Sequence, residues 1–204
     1  MREDVFYAQI PTEALHPAAE ELAARLRVPI GYRDAEIDAL EKELKEVLQV
    51  GMCAARMPIL KNENGYIELP AFSVKSTALS KSLADCREVY LMAVTLGMRA
   101  ERWLHRLSVL SPAKHFAADA LASAYAEAAA EYANRALAVD HALTRRFSPG
   151  YGDLPLSIQP QMIFATNANK YLHISVNESL LMIPQKSITA IIGIRSEAGK
   201  GESI

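Results

Sequence analysis

The chain has 204 residues, half of them apolar and 23% charged, with a formal net charge of −2. That length suits one domain, or one domain with a helical extension, and the composition is that of a globular protein. The near-neutral balance and the lack of a dense basic run argue against a nucleic-acid binder. Cys53 and Cys86 stand far apart and outside any CxxC pattern, which reads as two reduced thiols in a cytoplasmic protein. MREDVFYAQIP has no apolar signal core, and residues 116–139 carry Asp119, Glu127, Glu131 and Arg135, which excludes a simple membrane span.

In chain order, residues 12–26 read as a helix with Thr12 as N-cap and Pro17 in its first turns. Residues 35–50 read as a second helix, with Ile37, Leu40, Leu44, Val47 and Leu48 on one stripe and Gly51 as its stop. The period then changes. ARMPIL and YIEL flank KNENG, where Asn64-Gly65 is a hairpin signal, and FSVKST adds a short extended piece. A short helix at 79–85 leads to REVYLMAVTLG, an apolar, β-branched run read as a buried strand. A helix carrying Trp103, Leu104, Leu107 and Leu110 ends before Ser111-Pro112. The alanine-rich stretch 113–143 has the composition of a long central helix, because alanine has the highest helix propensity and its small side chain allows close packing.

After RRFSPGYGDLP, Ser157 is placed to cap a helix over 158–168, and YLHISV reads as a strand. Ser175 and Glu178 have capping-box spacing before an apolar run stopped by Pro184. Residues 187–194 read as a strand, and RSEAGKGESI as a polar frayed tail. Helices and strands mix without regular βαβ alternation. The expected class is therefore α+β, a largely antiparallel twisted sheet flanked by helices. The expected division is a helical N-terminal region (1–50), a core (51–195) and a tail (196–204).

Most catalytic signatures are missing. The five histidines form no HxxxH or HExxH, and there is no Walker loop, GxGxxG or GxSxG. Any chemistry here should need no side-chain nucleophile or strong base. Two stretches carry information instead. In Arg146-Phe147-Ser148-Pro149-Gly150-Tyr151, a guanidinium able to grip a carboxylate precedes a tight turn where Gly150 leaves the backbone bare and Tyr151 offers a stacking ring. Taken alone it also reads as a surface turn, its arginines complementing a helix C-terminus. The second stretch runs from Asn177 through Glu178, Ser179, Met182 and Pro184 to Ser187. Alone it reads as a capped turn, a proline stop and a core strand.

Together, RxxPGY followed by N-E-S-x-x-M-x-P-x-x-S-I resembles the activation domain of cobalamin-dependent methionine synthase. REVYLMAVTLG followed by DALASAYAEAAAE is similar to its stand-alone members, so the resemblance spans roughly residues 10–195. It implies binding of S-adenosylmethionine and rescue of an oxidised corrinoid: an external donor such as flavodoxin returns one electron, and the methyl group traps the reduced state. The donor methyl is already activated and the corrinoid is the nucleophile, so no protein base is required.

By the same resemblance, Arg146 pairs with the methionine carboxylate, and Ser148 and Gly150 contact the adenosine through backbone. Pro149 and Tyr151 lie at the same turn, and Glu178 lines or braces the pocket. No counterpart is evident for the family's N-terminal acidic residue that meets the ligand ammonium, and Glu127 is the substitute considered. GDLPLSIQPQ departs from the cysteine- and histidine-containing continuation of the long enzymes, and the C-terminal extension is missing. No DxHxxG cobalamin signature is present, so the corrinoid is expected on a partner: a cobalamin-bound methionine synthase without its own activation domain, or another corrinoid protein. The alternative is a docking module on a corrinoid protein that has lost methyl transfer.

Overall fold

The computed structural model describes residues 4–139 and 141–195. Its centre is a four-stranded antiparallel sheet in the order β1 (Asp4–Gln9), β2 (Gly51–Pro58), β6 (Cys86–Thr95), β9 (Ser187–Arg195). The Asn64-Gly65 turn joins β3 (Lys61–Glu63) to β4 (Tyr66–Glu68), and β5 (Ser73–Lys75) completes a small second sheet. Both turn residues take positive φ, 50° and 77°, as a two-residue hairpin loop requires. The class is α+β, as the mixed pattern implied.

Side chains alternate across the central sheet and fill two layers. Met92, Val94, Ala190 and Ile192 face helices α1 (Ala19–Leu26), α2 (Ala35–Val47), α4 (Met98–Leu110) and α5 (Pro112–Leu137). Leu91, Ala93 and Ile191 face the opposite layer, made of the small sheet, α3 (Thr77–Ser82), α6 (Gln159–Ala165) and α7 (Ala168–Tyr171). Alanines line the inward face of α5, Ala118, Ala122, Ala126, Ala129 and Ala133 among them, and bring it close to its neighbours.

Several sequence expectations are corrected. The helix expected over 12–26 is a 3-10 turn (Thr12–Ala14) and α1, separated because Pro17 lacks an N–H and disfavours helical geometry at the residue before it. The second helix stops at Val47, and Gly51 opens β2 instead of ending the helix. β1 had no counterpart in the sequence reading. The 158–168 helix is α6 and α7 broken at Asn167, whose φ is 54°, and Ser157 lies in a 3-10 turn without capping. YLHISV contributes only β7 (Ser175–Val176), which pairs with β8 (Met182–Ile183). The capping box does not form: Asn177 Oδ1 accepts from the N–H groups of Ser179 and Leu181, a local turn that competes with helix. The tail expected at 196–204 lies outside the described residues.

The helix expected to reach residue 143 ends at Leu137 because the next segment pairs with β9. Residues 142–147 lie along the free edge of that strand. Thr144 N–H donates to Gly193 O at 2.9 Å, Gly193 N–H donates to Thr144 Oγ1 at 2.8 Å, and Phe147 and Ile191 exchange bonds of 2.9 and 2.8 Å. Gly193 permits this approach: a Cβ there would stand 2.5 Å from Cys86 Sγ, 2.7 Å from Leu83 Cδ2 and 2.9 Å from Thr144 Cγ2. Gly193→Ala should therefore cost about 1–3 kcal/mol in urea denaturation, the usual range for overpacking. An unchanged midpoint would show that all three neighbours yield freely.

In the helix layer, Glu41 accepts from Tyr125 Oη at 2.6 Å and pairs with Lys45 at 3.0 Å and with Arg33. Burial alone would raise its carboxyl, but the bonds from Tyr125, Lys45 and Arg33 overcome it and hold the pKa at about 2, below the ordinary 4.5. This stabilisation is complete above pH 4.5 and is lost as pH falls toward 2. Thermal melts should show Glu41→Gln less stable at neutral pH, with the gap from wild type closing across that acid range.

Candidate functional site

Past Phe147 the strap formed by residues 142–147 leaves β9 and turns, and a cavity opens between the turn and the first residues of that strand. Two chambers meet there. One, of about 370 Å³, is lined by Glu127, Glu131 and Asn134 of α5 and by Arg145 and Arg146. The other, of about 430 Å³, is walled by Pro149 and Leu156 on one side and Leu181 and Met182 on the other, with Gln159 and Thr189 also lining it. Glu127, Ser148, Tyr151 and Ile188 line both, so they mark the junction.

Arg146 is held by the strap and half-buried, its side chain 23% exposed, and its Nη2 donates to Glu127 Oε2 at 3.1 Å. The sequence placed these residues 19 apart with no signal linking them beyond the family comparison; pairing along β9 brings them together. Opposite charges thus face each other at the chamber junction. In the same charged chamber Asn134 Oδ1 is a buried acceptor without a hydrogen-bond partner.

Gly150 takes φ of 88°, and its N–H donates to Leu154 O at 2.9 Å; Tyr151 N–H donates to Ser148 O at 3.1 Å. These amides close the turn, and the Gly150 N–H is used within it. Tyr151 stands at the rim, 72% exposed. Glu178 sits in the exposed turn between β7 and β8 and lines neither chamber.

The chamber walls are tied to distant elements. On the turn side, Asp153 accepts from Ser76 Oγ and from the N–H groups of Thr77 (2.6 Å) and Ala78 (3.2 Å), joining the turn to the start of α3. On the other side, Lys186 Nζ reaches Asp119 (2.7 Å) and Ser123 (2.9 Å) of α5, and Gln185 N–H donates to Glu101 of α4. Sequence reading missed Asp153, Lys186 and Gln159; nothing local in GDLP reveals that its acid caps a helix more than seventy residues upstream.

The Ser76 hydroxyl, with the Thr77 and Ala78 amides, holds the Asp153 carboxyl below its ordinary value of 3.8. The tether is therefore complete above that pH and is lost as pH falls below it. Asp153→Asn should lower the melting temperature at neutral pH, and the difference should shrink as the wild type is acidified below 3.8.

Among the described residues no group of three or more His, Cys, Asp or Glu side chains could hold a metal ion, and no helix is long and apolar enough to cross a membrane. No protein-family model matches the chain, and no curated protein matches it. Among solved structures the chain is similar to the crystal structure of the MetH reactivation domain bound to AdoHcy, with a TM-score of 0.72 and 15% identity. The match covers 98% of this chain and 81% of that one. At that identity the likeness is one of fold alone, an α+β architecture similar to that of the crystallised domain.

Proposed function

We propose that this chain binds S-adenosylmethionine and serves as an accessory subunit for reductive methylation, and hence reactivation, of cob(II)alamin. The corrinoid is held by a separate cobalamin-dependent methionine synthase without its own activation domain, or by another corrinoid protein. The observation that carries this reading is the Arg146–Glu127 pair at the junction of the two chambers. Its support is a fold shared with a domain crystallised with AdoHcy.

The head of that ligand class is a zwitterion, with a carboxylate and an ammonium on one carbon. A guanidinium and a carboxylate side by side complement it: Arg146 takes the carboxylate and Glu127 the ammonium. Their mutual bond neutralises both while the chamber holds no ligand. The apolar walls of Leu156, Leu181, Met182 and Ile188 suit a nucleoside, with Tyr151 at the rim to cover it. Bound S-adenosylmethionine supplies a methyl group already activated on a sulfonium. The chain's own work is to hold the head, fix the direction of the methyl and leave the rim open to the partner's corrinoid. A flavodoxin-like donor delivers the electron.

Titration calorimetry with S-adenosylmethionine and S-adenosylhomocysteine tests this directly. Saturable binding is expected, and Arg146→Ala should weaken it by about 2–5 kcal/mol if the pair is desolvated. Folding of the variant is checked by circular dichroism. Association with a corrinoid protein but no binding of either ligand, alone or in the complex, would sink this reading in favour of a docking module.

A further inference from the structure

Gln159 is the first residue of α6 and is only 2% exposed. A buried amide normally satisfies both its oxygen and its nitrogen. Here Oε1 accepts from Thr189 Oγ1 at 3.2 Å, while Nε2 has no hydrogen bond among the described residues and is not sealed off from the cavity. What remains open of the side chain faces the larger chamber, which it lines together with Thr189. Ser187, the other buried polar residue there, is occupied: its hydroxyl bonds Pro184 O and Thr95 Oγ1, both at 2.7 Å. Among the described buried polar side chains that line this chamber, the unused donor is therefore the Gln159 amide.

We infer that Gln159 is the residue that selects the base of the bound nucleoside, and that the base is adenine. This deepens the proposed function and rests on it. With Arg146 and Glu127 holding the amino-acid head at the junction, the nucleoside end extends between Leu181 and Leu156 toward Gln159. A carboxamide presents an acceptor beside a donor. Adenine presents the complement, an exocyclic N–H beside a ring nitrogen acceptor, and a glutamine can engage both. Thr189 donates to one lone pair of Oε1, leaves the second for the adenine amino group, and turns Nε2 toward the ring nitrogen. Hypoxanthine places an acceptor where adenine has that amino group, so it meets Oε1 oxygen to oxygen. Discrimination follows from an unmatched polar edge in a buried site, the setting in which a missing hydrogen bond costs most.

The test compares S-adenosylhomocysteine with S-inosylhomocysteine by calorimetry on the full chain. The wild type should prefer the adenosyl compound by about 10- to 100-fold. Gln159→Leu, which keeps the volume apolar, should weaken the adenosyl compound and reduce the preference to within a few-fold. Thr189→Val keeps the shape of the floor and removes only the orienting hydroxyl, so it should narrow the preference even if the first variant folds poorly. A wild type that binds both compounds equally, or variants that retain the full preference, would overturn the assignment of Gln159 while leaving the ligand class intact. A wild type that binds neither compound overturns both the assignment and the function on which it rests.

Discussion

Main-chain pairing between residues 142–147 and the outer edge of β9 governs where the parts of the site lie. It depends on the missing side chain at Gly193, against which Cys86, Leu83 and Thr144 all press. Once that contact is made, the register Leu143 to Ile194 and Phe147 to Ile191 leaves little choice about Arg146. Its guanidinium projects toward α5 and meets Glu127. The alanine face of α5 adds the second condition, because only small residues let the helix lie near enough for that meeting. The candidate site is thus set by backbone geometry first and by charged side chains second.

The site's polarity is graded along its length. One end is ionic, with Arg145, Arg146, Glu127 and Glu131 around a buried, unpaired amide oxygen of Asn134. The other end has apolar walls and a buried polar corner that includes Gln159, Ser187 and Thr189. A molecule that is zwitterionic at one end and heteroaromatic at the other matches that gradient.

The sequence disclosed those elements whose signal is local. REVYLMAVTLG and SITAIIGI are long β-branched runs, and they became β6 and β9; Asn64-Gly65 demanded positive φ at both residues and made its hairpin. What it concealed depends on partners far away in the chain. β1 is a strand because β2 lies beside it, and residues 142–147 are not helical because an open sheet edge competes for their backbone. Ser175 and Glu178 had capping-box spacing, yet Asn177 captured the nearby amides first. At the candidate site, Pro149-Gly150 announced the turn itself, but not what the turn faces. Gln159 and Asp153 were not legible, since a buried amide and a remote cap are defined only by what folds against them.

Asp153 gives the molecule one more property. Its carboxylate lies in the turn after Gly150, yet two of the amides it accepts from belong to Thr77 and Ala78 at the start of α3. Whatever steadies the turn also steadies those two N–H groups. Their rates of hydrogen exchange with solvent are thus a remote gauge of how firmly the turn is held, readable without any label placed in the cavity itself.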